Sequence, residues 1–213
     1  MEITLQQLCP TFLEKEKINQ SQLWNASLVF KPGEKIQLVA PSGSGKTSFI
    51  HFLYGLRKDF TGNILFNNKN LHHFDAEETA LCRSSQLSIV FQDLRLFANH
   101  SVADNIQVKK SLNSFEGALP IAEMAERLGM GSKLTQLAGI CSYGEQQRIA
   151  IIRALQQPFE YLILDEPFSH LDDANSRKAM TLIEEEVAKR NAGIIFADLS
   201  EVACFKADKI VRL

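Results

Sequence analysis

The chain has 213 residues, of which 45 % are hydrophobic and 23 % charged, and a formal net charge of −2. These values describe one ordinary globular domain and exclude a global field that would draw in nucleic acid or an anionic membrane. No apolar run approaches the roughly 18–20 residues of a membrane span, and the opening Met1-Glu2-Ile3-Thr4-Leu5 lacks the basic-then-apolar pattern of a secretory leader. Strand-like and helix-like segments alternate along the chain, which predicts an α/β fold with a mainly parallel sheet. Residues 27–30 read as a strand closed by the turn 31–34, and the apolar run 35–39 as a second strand. A helix opens at Lys46 and runs towards Leu56, and a strand over 62–66 enters the turn-like 67–70. Residues 87–91 form a short buried-strand candidate ending at Gln92. From about 97 to 154 the pattern is mostly helical, with Ser101 and Asp104 placed as a cap before Ile106 and Val108. Tyr161-Leu162-Ile163-Leu164-Asp165 is apolar until its last residue, as expected of a central strand buried on both faces. Ala179, Ile183 and Val187 mark an amphipathic helix, and strands over 193–197 and 209–213 end the chain.

The chemistry begins at residues 40–47, Ala-Pro-Ser-Gly-Ser-Gly-Lys-Thr, between the strand 35–39 and the helix that follows. A strand entering a Gly-rich turn that opens a helix at Gly-Lys-Thr is a phosphate-cradling P-loop. Gly43 and Gly45 let successive N–H groups turn inward, and the helix aims its positive end at the same oxygens. Lys46 is the residue to reach the β- and γ-phosphates, and the Thr47 hydroxyl is an expected Mg²⁺ ligand. The expected nucleotide contacts are Ala40, Pro41, Ser42, Gly43, Ser44, Gly45, Lys46, Thr47 and Ser48. Ala40 stands where the pattern normally has Gly, a small-for-small exchange.

Asp165 ends its buried strand at the carboxyl edge, where such sheets bind ligands, and is the expected Walker B ligand of Mg²⁺. Glu166 follows it, placed to orient or deprotonate a water. Cys9, Cys82, Cys141 and Cys204 are too scattered for a metal or redox pair and read as reduced thiols of a cytoplasmic protein.

The segment Cys141-Ser142-Tyr143-Gly144-Glu145-Gln146-Gln147-Arg148, followed by an apolar stretch bearing Arg153-Ala154-Leu155, resembles the signature sequence of ABC-type ATPases. Gln92 in Phe91-Gln92-Asp93 resembles the Q-loop glutamine, and Ser169-His170-Leu171-Asp172 the D-loop; the likeness covers the whole chain in order and spacing. It implies a P-loop NTPase with a RecA-like parallel-sheet core, an N-terminal antiparallel β subdomain and an inserted helical subdomain. The expected organisation is a single domain over 1–213, with the core from 1–95 and 155–213 and the helical signature subdomain from 96–154. It further implies ATP and Mg²⁺ as ligands, with Glu166, Gln92 and Lys46 catalytic and Thr47, Gln92 and Asp165 on the metal. Phe12 lies where the family places an adenine-stacking aromatic, although an aromatic beside an N-terminal strand is as often core. Ser142, Gly144 and Glu145 open a helix that forms a second anion site. In the family this site completes the nucleotide site of a second cassette, so ATP holds a head-to-tail dimer together.

Three positions depart from that pattern. Cys141 replaces a Leu, Tyr143 replaces a Gly that gives the phosphate close access, and Asp198 aligns with the switch histidine. Two like charges about 4 Å apart at an effective dielectric near 20 repel by roughly 4 kcal/mol. Asp198 is therefore expected to be protonated, turned away or paired, with ATP binding kept and hydrolysis slowed; the alternative is an ordinary loop residue. The spacing from P-loop to Q-loop and Glu145 resemble the small cassettes of lipoprotein release, macrolide efflux and cell division. The run from Asp165 to Ser169 is closer to some importers. The expected partners are a second ABC cassette and separate integral membrane permease subunits, with no nucleic acid, at the cytoplasmic face of the cell membrane. A coupling groove is expected near Gln92, Leu94, Leu96 and Phe97. The second possibility is a nucleotide-gated assembly module with negligible turnover.

Overall fold

The computed structural model describes all 213 residues. β1 (Ile3–Pro10), α1 (Lys15–Gln20) and β2 (Ser27–Phe30) lead into β3 (Lys35–Val39) and α2 (Lys46–Leu53). β4 (Phe60–Phe66), β5 (Lys69–Asn70), α3 (Ala76–Ser85) and β6 (Leu87–Val90) come next. α4 (Val102–Leu112), α5 (Ile121–Arg127) and α6 (Tyr143–Ala154) precede β7 (Tyr161–Asp165), α7 (Asp173–Arg190), β8 (Gly193–Asp198) and β9 (Lys209–Arg212). β2-β1-β4-β5 form an antiparallel sheet, and β6-β7-β8-β3-β9 a parallel one. This is the expected RecA-like arrangement, with the antiparallel sheet at one side and α4–α6 inserted between β6 and β7.

The central strands β7 and β8 are buried on both faces because they are apolar up to their terminal aspartates, and the period of two divides their side chains between two cores. In β7, Leu162 and Leu164 join Ile149, Ile152, Ile183 and Phe196 on the helical side. Tyr161 and Ile163 join Ile36, Leu38, Phe49 and Ile195 on the side of α2 and the antiparallel sheet. The register sets the site. Ala197 of β8 lies opposite both Leu38 of β3 and Asp165 of β7, so the P-loop and Asp165 leave the same sheet edge on either side of β8.

Local signals explain most boundaries. Asn67 and Asn68 turn β4 into β5 with φ of +46° and +68°, values that Asn tolerates. The Ser101–Asp104 capping box opens α4 as expected. The region 97–154 contains three separate helices joined by turns, and α2 stops at Leu53, short of Leu56. Buried Asn105 closes the turn ahead of α4: its Oδ1 accepts from Phe97 N–H at 2.8 Å, and its Nδ2 donates to Phe97 C=O at 3.0 Å and Ser101 C=O at 2.9 Å. Leu94, expected at an exposed groove, is buried, whereas Phe97 is exposed. The burial follows from the chain reversal at Leu94 and Arg95, both left-handed, with Arg153 donating to the Arg95 carbonyl at 2.8 Å.

Candidate functional site

A cleft of about 260 Å³ opens at the carboxyl edge of the parallel sheet, lined by Phe12, Pro41, Ser42, Gly43, Gly45, Lys46, Thr47, Ser48, Gln92 and Glu166 together with Leu13 and Leu199. Gly43 and Gly45 take φ of +78° and +96°, which turns the loop inward at a conformation that side chains disfavour. Gly45 is the N-cap of α2 and brings no capping side chain. The first-turn N–H groups of α2 are thus left to the cleft. Ala40 is fully buried behind the loop, and its N–H donates to the Asp198 carbonyl at 3.0 Å.

Lys46 is almost fully buried and its ammonium lies between two carboxylates, 3.3 Å from Asp165 Oδ1 and paired with Glu166. Burial pushes the Asp165 carboxyl above its ordinary range, opposed by the Lys46 charge and by hydrogen bonds from Lys46 and Thr47. Glu166 adopts φ of +48°, uncommon outside glycine, and Glu166 N–H donates to Ala197 O at 2.9 Å. This turn points its carboxylate back at the cleft, where Gln92 Nε2 donates to Oε2 at 3.3 Å. Strain of this kind is concentrated at working sites. A second depression shares Thr47 and Gln92 with the cleft and adds Asp165, His51 and Tyr143.

Two features of the site fit a nucleotide with a divalent ion. The Ser44 hydroxyl is buried in the glycine-rich loop with no protein partner, an unsatisfied donor beside the cleft. The hydroxyl, amide and carboxylate oxygens of Thr47, Gln92 and Asp165 are the hard donors that Mg²⁺ takes.

Phe12 is half exposed, and one side of its ring carries the Arg57 guanidinium at 4.5 Å. Arg57 also donates to Ser48 Oγ at 3.2 Å and pairs with Asp59. Sequence reasoning missed Leu13 and Leu199, which line the cleft, and Arg57, which braces Phe12 and Ser48 from outside it; no local motif marks them. Asp198 does not line the cleft. Its Oδ1 accepts from Leu199 N–H at 2.7 Å. Burial pushes its carboxyl above the usual range; the nearby Glu166 charge adds to this, and the Leu199 N–H opposes it.

The signature residues stand apart from the cleft, at the start of α6. Ser142 is the N-cap and its hydroxyl accepts from Glu145 N–H at 3.4 Å. Glu145 reaches back to Ser142 N–H at 2.9 Å and pairs with Lys133, so within this chain it serves the helix end. Gly144 packs against the D-loop segment, and a Cβ there would sit 2.7 Å from His170 O. Tyr143 hydroxyl donates to the Gln92 carbonyl at 3.1 Å, and its ring centroid lies 4.2 Å from that of His170. Cys141 is buried, in keeping with a packing exchange for Leu.

The sequence profile of the ABC transporter family matches residues 23–169. The chain belongs to the ABC transporter family. The lipoprotein-releasing system ATP-binding protein LolD of Legionella pneumophila is 28 % identical over 90 % of this chain and 86 % of its own length. LolD of Buchnera aphidicola subsp. Schizaphis graminum is 33 % identical over 86 % of this chain and 81 % of its own. Among solved structures, the dimeric post-hydrolysis state of the ATP-binding cassette MJ0796 bound to ADP and Pi superposes with a TM-score of 0.77 at 23 % identity, covering 93 % of this chain and 88 % of that one. At that identity the likeness speaks for the fold.

Proposed function

We propose that this ABC cassette binds MgATP in the cleft at Ala40–Thr47, closes head to tail on a second cassette, and drives separate permease subunits at the inner face of a membrane. The observation that carries the reading is Lys46 held between Asp165 and Glu166 at the mouth of a glycine cradle. The family likeness and the names of the LolD relatives support a lipoprotein-releasing type of complex. Lys46 leaves the two carboxylates for the phosphate chain, which frees Asp165, with Thr47 and Gln92, to hold Mg²⁺. A bound Mg²⁺ would neutralise charge on the phosphates. Glu166 orients the attacking water and takes its proton. Phe12 offers its free face to the base, a contact of roughly 1–3 kcal/mol by analogy with base stacking. Ser142 and the backbone at Gly144 are offered to the partner's nucleotide.

Asp198 supplies an acid where the family has a donor, so hydrolysis is slow while binding is retained. The bond from Leu199 N–H draws its carboxylate back along the main chain, which supports the weaker-trigger reading and keeps a nucleotide-gated module as the second one. Steady-state ATPase assays with and without co-expressed permease decide between them. Asp198→His is expected to raise turnover several-fold; an unchanged rate argues against a role for Asp198 in hydrolysis. Tight ATP binding with no turnover, even with permease present, selects the module.

A further inference from the structure

Trp24 is the only tryptophan of the chain, and it is 2 % exposed beneath the P-loop. Its position is built from both sides. The Ser21 hydroxyl accepts from Leu23 N–H and Trp24 N–H, each at 3.0 Å, which fixes the turn that carries the indole. The ring then meets Phe49 and Phe52 of α2 edge-on, with centroids 6.1 and 6.5 Å away. In this place the indole Nε1–H donates to the Ser44 carbonyl at 3.1 Å.

That bond acts on the phosphate cradle through peptide geometry. In a planar trans peptide the C=O and the N–H point in opposite directions. Holding the Ser44 carbonyl down on the indole therefore turns the N–H of the same peptide, that of Gly45, up and away from Trp24. Gly45 lines the cleft. The packing allows little else, since a Cβ at Gly45 would lie 2.9 Å from Trp24 Cζ2. A buried carbonyl with a satisfied partner has no reason to flip, so the donor is aimed before any ligand arrives.

We infer that Trp24 is a positioning residue for phosphate: its indole N–H clamps the Ser44–Gly45 peptide with the Gly45 N–H directed into the cleft. The inference rests on the phosphate-cradle reading of residues 40–47, and the two fail separately under test. Affinities for MgATP and for inorganic tripolyphosphate are measured by displacement of a fluorescent ATP analogue. Four proteins are compared: wild type, Lys46→Ala, Trp24→Phe, and a protein with benzothienylalanine at position 24. The last keeps the shape of the indole and loses only the N–H. Loss of one neutral hydrogen bond predicts about fivefold weaker binding. The same factor is expected for MgATP and tripolyphosphate, because both present the same phosphates, with the melting temperature of the benzothienyl protein close to that of wild type. Affinity within a factor of two of wild type in the benzothienyl protein overturns the clamp. Unchanged MgATP binding in Lys46→Ala overturns the cradle reading instead. Should the position-24 variants fail to fold, wild-type emission decides, since it comes from this indole alone. Emission typical of a buried, hydrogen-bonded indole before any ligand is added, kept on saturation with tripolyphosphate, supports the clamp; emission typical of an indole with no hydrogen bond overturns it.

Discussion

Two helix N-termini in this molecule present the same physics with opposite dispositions. At α2 the N-cap is Gly45, with no capping side chain, so the positive end of the helix faces an open cleft. At α6 the N-cap is Ser142 with a complete capping box, and Glu145 already supplies a carboxylate to that end. The following residue, Tyr143, reaches across to the chain's own Gln92 carbonyl. A helix end becomes an anion site through what is left unbonded there, more than through the dipole alone. The α2 end is prepared within one chain; the α6 end is engaged locally and has further donors only at Tyr143 and Gly144.

The sharpest way to break this contrast is at the chemistry of the α2 end. Glu166→Gln removes the proposed base while keeping its shape, so turnover should fall by roughly 10²–10⁴-fold with ATP binding retained, as read by phosphate release and calorimetry. Lys46→Ala leaves Asp165 and Glu166 without their cation and the phosphates without theirs. Affinity for MgATP should drop on the order of 100-fold, from the loss of charge-assisted bonds. Tyr143→Gly frees the α6 end from Gln92 and His170. Turnover at saturating ATP should rise several-fold if that end serves a second cassette, and a flat rate would mean that the two ends do not cooperate.

A smaller effect is expected at Asp198, whose carboxyl is raised by burial. A raised carboxyl favours the folded state below its unfolded pKa, and that stabilisation is lost as pH rises through the folded value. Asp198→Asn should therefore melt higher than wild type near neutral pH, and the gain should vanish as the pH falls into the ordinary carboxylate range. The mildest test is Ser142→Ala, which removes the α6 cap for about 1 kcal/mol, or roughly 2–4 °C in melting temperature.

Legibility in the sequence followed locality. β2, β3 and β7 were readable to the residue because a short apolar run between turns has one solution. α3 was not seen, since only Cys82 on it is buried and periodicity is nearly absent. Its capping box from Asp75 to Glu78 was the available signal. β1 was not delimited because a register shift between Gln6 and Cys9, with Gln7 at φ +49°, breaks the alternation. In and around the cleft, residues 40–47, Asp165 and Glu166 announce themselves by type and spacing. Trp24 and Arg57 do not, because their contacts join segments that no short motif spans.

The glycine-rich turn, the acidic strand end and the family were legible in the sequence alone, because each is written in a few neighbouring residues. Only the tertiary structure decided what those groups face. The pairing of β8 with both β3 and β7 brings Lys46 to Asp165 and Glu166, and sets Asp198 at the shared edge with its carboxylate on Leu199 N–H. The same long-range packing turns Tyr143 onto Gln92 and lays Trp24 under Ser44. Side-chain direction depends on partners distant in the chain, which become neighbours only when the sheets and helices bury their apolar faces together.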